Sequence, residues 1–235
     1  MQLKFSQIRV WFAMSTLALL AACGGGGGGG SSAPVTSTET FQLRTAYVSY
    51  LTDIRSMPFS VTGTVSGVNV SGTGTTTQGS MSATTFEGQS AQVKTTTATG
   101  TLTANGQSIP LASSSTTYVD SNYNPLGFDG SEYEVVTSFT PIPTTARVND
   151  TAVWYSATRY TSSSKTTRTG TTTATFVLEP DTASTALLKI IQVERNTSNT
   201  VTSTNTITFR MTPAGNLTRI SESLVESTTS LTATY

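Results

Sequence analysis

The hydrophobic pattern changes twice along the 235-residue chain. Residues 10–22, VWFAMSTLALLAA, form a mostly apolar stretch behind a basic start carrying Lys4 and Arg9. Residues 36–54 place Leu43, Ala46, Tyr47, Tyr50, Leu51 and Ile54 at i, i+3 and i+4, the period of one helix face. Thr36 and Glu39 have the spacing of a capping box. An amphipathic helix packed on a core is predicted there, with a strand as the other reading because of its tyrosines and threonines. After Pro58 the period falls toward two, in runs such as TATFVLE, ALLKIIQVE and TNTITFRM.

Turn chemistry separates these runs at even intervals. It recurs at NVSG near 71, EGQ near 88, Asn105-Gly106, NPLG near 125, TARVND near 148, SSSK near 163, EPD near 180, RNTSN near 197 and PAGN near 214. Asn105-Gly106 is the strongest hairpin signal, because both residues tolerate positive φ. Evenly spaced turns with no helix-sized pattern between them predict an antiparallel meander, since parallel strands need long crossovers. The expected fold is all-β: about nine or ten long strands in a curved sheet or an open or closed barrel, with one short N-terminal amphipathic helix. Residues 36–235 are expected to form a single β-rich domain, with the helix over 36–54 and the sheet over 58–235.

Composition sharpens this picture. Charged residues are 11% of the chain, against roughly 25% in an ordinary soluble domain. Threonine and serine must therefore wet the surface, and β-branched threonine suits a pleated sheet. Thirteen basic residues balance thirteen acidic ones, which gives no electrostatic footprint for nucleic acid. With no histidine and a single cysteine, the usual general base is missing and the soft metal ligands are nearly absent, so no cofactor is expected. No disulfide can form within the chain.

The first segment has the plan of a secretory signal peptide, too short for the roughly 20 residues of a spanning helix. Leu20-Ala21-Ala22-Cys23 resembles the lipobox of bacterial lipoproteins. That resemblance implies cleavage between Ala22 and Cys23, acylation of Cys23, including palmitate, and a membrane partner reached through the lipid anchor. Gly24 after the cysteine implies passage to the outer membrane. The seven glycines that follow lack the strand, helix and lysine of a phosphate loop and read as a flexible tether, 23–35 with its flanks. Beyond the anchor, the chain resembles β-rich envelope lipoproteins of diderm bacteria, a class that implies location and no particular activity.

Candidate chemistry is sparse. Asp120, Asn122 and Asn124 have the alternate spacing that opens a calcium loop, but Pro125 stands where the sharp turn needs glycine, so an Asx-rich turn is the stronger reading. Asp129, Glu132 and Glu134 could supply an acid/base pair, although Glu132 and Glu134 are expected on one solvated strand face. Tyr123, Trp154, Tyr155 and Tyr160 are candidates for lining a small apolar or glycan ligand, or else for filling a β core. The expected role is non-enzymatic binding or structure in the envelope. A concave apolar face open to solvent favours it, and a face plugged by the helix counts against it. The alternatives are an integral outer-membrane β-barrel, suggested also by the closing SLTATY, and a carboxylate-dependent enzyme.

Overall fold

The computed structural model describes residues 36–235. The signal segment 1–22, Cys23 and the tether to residue 35 lie outside the described residues.

Hairpins build the sheet. β1 (Arg55–Val65) and β2 (Val68–Gln78) turn at Ser66-Gly67, and β4 (Gln89–Ala104) and β5 (Gln107–Val119) turn at Asn105-Gly106. Both pairs of turn residues have positive φ, the geometry whose twist matches the flanking strands. β3 (Ser82–Phe86) hairpins with β4 alone. The meander continues through β6 (Pro125–Asp129), β7 (Tyr133–Phe139), β8 (Thr151–Tyr160), β9 (Arg168–Thr182) and β10 (Thr185–Asn196). It ends with β11 (Val201–Met211), β12 (Leu217–Glu226) and β13 (Thr229–Thr234). β13 pairs with β1, from Ser60↔Thr234 to Val65↔Thr229, and β2 pairs with β4 past the excluded β3. The result is a closed antiparallel barrel of twelve strands, which decides between the sheet and barrel forms left open by the sequence.

Among the described residues, thirteen strands replace the expected nine or ten. Two of the apparent turn signals lie inside strands: NVSG falls in β2 and EPD in β9. Real reversals at Ser66-Gly67 and Ser227-Thr228, flanked by serine- and threonine-rich strands, offer little contrast to find them by. The five-residue β3 fits between the spaced signals, and the five-residue β6 begins within the NPLG signal itself.

Alternation sorts the two faces. On β4, Ala98, Leu102 and Ala104 are buried while Thr95, Thr99, Thr101 and Thr103 are exposed. The interior holds one large apolar cluster under the helix, including Phe41, Leu43, Trp154, Phe176, Leu178 and Phe209. A second cluster, of Phe59, Val61, Val70, Leu102, Leu111 and Ala233, fills the side made by β1, β2, β4, β5 and β13. A third lies around β3, where Phe86 stacks on Tyr118 at 4.4 Å between ring centres. A Cβ at Gly127 would come within 2.2 Å of the Phe86 ring, so glycine is what admits this contact.

The helix α1 (Leu43–Thr52) is shorter than the 36–54 expected. The Thr36/Glu39 box does not start it. Ser37 instead donates its hydroxyl to the Ala183 carbonyl at 2.8 Å and accepts the Glu39 amide, and Phe41 pairs with Ala146 as a β-bridge. Tertiary pairing thus keeps 37–41 out of the helix. Leu43, Ala46 and Leu51 point inward. Amide bonds from Gln42 to Pro213 and from Arg44 to Thr144 fix the helix start to loops on one rim of the barrel.

Candidate functional site

The lumen beneath α1 is not completely filled. A cavity of about 150 Å³ remains, walled by Phe128, Trp154, Phe176, Leu188, Ile190 and Phe209. Tyr47 and Tyr50 of the helix form its roof, in edge-on contact with Trp154 and Phe209 at 4.8 and 5.1 Å. Exposed Asp129, Gly130 and Ser131 also line it, so it reaches the surface at the β6–β7 turn. Pairing explains that position. β6 pairs only with Thr116–Val119 of β5, which leaves the earlier half of β5 without a β6 partner beside the turn.

Polar groups are set into these walls. Lys94 Nζ donates to the carbonyls of Tyr50, Leu51 and Asp53 at 3.1, 2.8 and 2.7 Å, and lies 3.4 Å from Gln78 Oε1. A buried cation therefore satisfies the open carbonyl end of α1, where the helix dipole is negative. Burial lowers the Lys94 pKa to about 8, still high enough to keep it charged at neutral pH. This contact clamps the helix into the lumen.

Two arginines organise the remaining charges. Arg159 on β8 pairs with Glu132, with Glu194 at 2.7 Å and, more distantly, with Glu134 at 3.9 Å. Burial pushes the Glu134 carboxyl up to about 7, against the opposing pull of Arg159 and of the Thr172 hydroxyl, which donates to it at 3.0 Å. Glu226 is also raised by burial. On β12, Arg219 pairs with Glu222 at 2.5 Å, and the other Glu222 oxygen accepts Asn205 Nδ2 at 2.7 Å. Arg219 also lies 4.3 Å over the Tyr235 ring. Its Nε is buried without a hydrogen-bond partner.

The aromatic residues singled out in the sequence are dispersed. Trp154 lines the cavity, and Tyr155 is fully buried next to it, its hydroxyl accepting a hydrogen bond from Gln192 and its pKa raised by burial. A register shift in β8 turns both of these neighbours inward, which strict alternation forbids. Tyr160 packs instead against the outer cluster around Phe86, and Tyr123 sits at positive φ in the β5–β6 turn. They form no common pocket.

The carboxylates also differ from expectation. Glu134 is buried and Glu132 pairs with Arg159, so these two are not solvated side by side; Asp129 stays exposed. The Asp120 carboxylate is engaged within its own loop, accepting the Asn122 and Asn124 amides at 2.7 and 2.8 Å and Asn124 Nδ2 at 2.9 Å. It serves there as an Asx-turn acceptor. Among the described residues no group of histidine, cysteine and carboxylate ligands is arranged to hold a metal ion.

Lys94, Arg159 and Arg219 were missed by sequence reasoning. Of the three, only Arg159 carries a local signal, as a charged residue two positions from the buried Ala157 on the inward face of β8. No family model matches this chain, and no curated protein or solved structure is detectably similar to it.

Proposed function

We propose that this is a lipid-anchored protein of the bacterial cell envelope whose barrel holds a small apolar ligand, without catalysing a reaction on it. The observation that carries the binding role is the cavity under α1, with aromatic and aliphatic walls, a few inset polar groups and an opening at the β6–β7 turn. The helix occupies much of the lumen, which restricts the ligand in size. Apolar walls favour an apolar molecule over a glycan. The buried carboxylates Glu134, Glu194 and Glu222 are each held by an arginine or another hydrogen-bond donor, an arrangement suited to structure rather than acid/base turnover.

Support for the anchor comes from Leu20-Ala21-Ala22-Cys23 and the glycine tether. Fractionation and mass spectrometry test it: the native protein is expected in the outer membrane with an acylated Cys23, and Cys23→Ala is expected in the soluble fraction. Membrane retention of Cys23→Ala overturns the anchor. That result would favour the second reading, an integral outer-membrane barrel, which the closed, even-numbered ring suits. Exposed Ser60, Thr62, Thr73, Thr99 and Thr101 on its outer face support a barrel in water, since lipid requires an apolar band.

A further inference from the structure

We propose that the cavity selects a small organic acid, a single ring or branched chain bearing one carboxylate, and that this carboxylate lies on the hydroxyls of Thr96 and Ser115 beside the Lys94 ammonium. This rests on the binding role proposed above and adds the one polar group that the ligand's apolar body carries. Size is the first constraint. A cavity of about 150 Å³ holds a benzene-sized body and excludes a long acyl chain or a sugar chain.

Register builds the polar wall. Gln78 of β2, Thr96 of β4 and Ser115 of β5 stand in one row across three strands, and Lys94 pairs with Thr117 in the row beside it. Alternation turns all five inward, in phase with the buried Thr76, Ala98 and Val119, and all five line the cavity. Gln78 and Lys94 are buried, whereas Thr96, Ser115 and Thr117 stay partly exposed although they point inward, so these three border the open space of the lumen. Their hydroxyls make no hydrogen bond among the described residues. They are the unspent donors of this wall.

Charge then selects what those donors receive. Three cations are buried among the described residues: Arg219 faces Glu222, and Arg159 faces Glu132, Glu134 and Glu194. Lys94 has only carbonyls and the Gln78 amide oxygen around its Nζ. Asp53, whose charge reaches it, is exposed and pairs with Arg55. A buried cation without a counter-charge is costly, and an anion seated on the neighbouring hydroxyls supplies one. Lys94 acts on that anion through its field, since its donors are spent on the end of α1. The carboxylates of the lumen are held elsewhere. Glu134 lies three strands along the Lys94 row, about 14 Å along the sheet with Phe128 between them, and Glu132 is tied to Arg159. Asp129 stands in the outward phase of β6, where its charge acts on Tyr118 and Tyr133 of the outer cluster.

Three probes of similar size test this on the full chain carrying Cys23→Ala: benzoate, its neutral amide benzamide, and benzylammonium, which is a cation. In calorimetric titrations at neutral pH benzoate is expected to bind about five- to tenfold more tightly than benzamide, with benzylammonium weakest. The Thr96 methyl resonance is expected to move on adding benzoate. Thr96→Val combined with Ser115→Ala leaves the Lys94 clamp on α1 in place and should weaken benzoate about fivefold. Ile190→Trp should fill the cavity and abolish binding. Benzamide binding as tightly as benzoate, or benzylammonium binding tightest, overturns the carboxylate assignment and leaves the binding role standing. Benzoate binding undiminished in the Thr96/Ser115 variant overturns the placement on these hydroxyls. Failure of all three probes to bind overturns the cavity as a ligand site.

Discussion

The two populations of the lumen are built on opposite rules. Under α1, apolar side chains from β8 to β12 interdigitate with the helix, and each contact is replaceable in kind. Around Arg159 a single cation holds carboxylates delivered by the β6–β7 turn, β7 and β10. Packing loses stability in proportion to what is removed, whereas a charge cluster loses its balance when one member goes. The first region is graded and the second close to all-or-none.

The largest expected effect strikes the second region. Arg159→Leu strands buried carboxylates and should cost about 3–5 kcal/mol of unfolding free energy in urea denaturation. Adding Glu194→Leu should recover part of that loss, because it removes one of the stranded charges. A cost for the double variant equal to the sum of the two singles would break the distinction between the regions. Next comes Leu178→Ala in the apolar region, where Leu178 is fully buried; about 3 kcal/mol is expected there, without rescue by any second removal.

Lys94→Met probes the boundary between the two. It keeps the length of the side chain and removes the donor, leaving the α1 carbonyls unmet at a cost of about 1–3 kcal/mol. Hydrogen exchange should show α1 opening before the barrel strands do, since the barrel's own ladders are untouched.

A smaller effect follows from Glu134. Its carboxyl titrates near 7 in the folded state and in the ordinary range near 4.5 when unfolded, so between those values the folded state binds more protons. Stability from this group therefore falls as pH rises from about 4.5 to 7. Denaturation midpoints of Glu134→Gln should be flatter than those of the native chain across that window. The smallest effect belongs outside the comparison altogether: Thr99→Ser on the exposed face should stay within about 0.5 kcal/mol.

The apolar region was far more legible than the charged one. Leu43, Ala46 and Leu51 announce an inward helix face by their spacing, and Asn105-Gly106 announces a hairpin by its φ requirement. Both signals are local. By contrast, the partners of Arg159 come from residues 132, 134 and 194, and only the register of the strands brings them together. Its phase with Tyr155 and Ala157 hints that Arg159 points inward, but nothing near it in sequence names its partners. The helix start was misplaced for a related reason: Ser37 and Phe41 are claimed by Ala183 and Ala146, contacts that outbid a local cap. Strand number suffered because threonine and serine fill strands and turns alike in this chain.

The union of β1 with β13 has a consequence for how the chain reaches this state. Ser60 and Thr234 face each other across a separation of 174 residues, and the ring cannot close until that pair meets. Such a high contact order places folding toward the millisecond-to-second end of the range for small domains. Until closure, the edges of β1 and β13 are both open templates for strand addition. Because α1 leads directly into β1, the late step that seals the ring also positions the helix inside it. Refolding monitored by Trp154 fluorescence should accordingly report cavity formation and ring closure as one slow event.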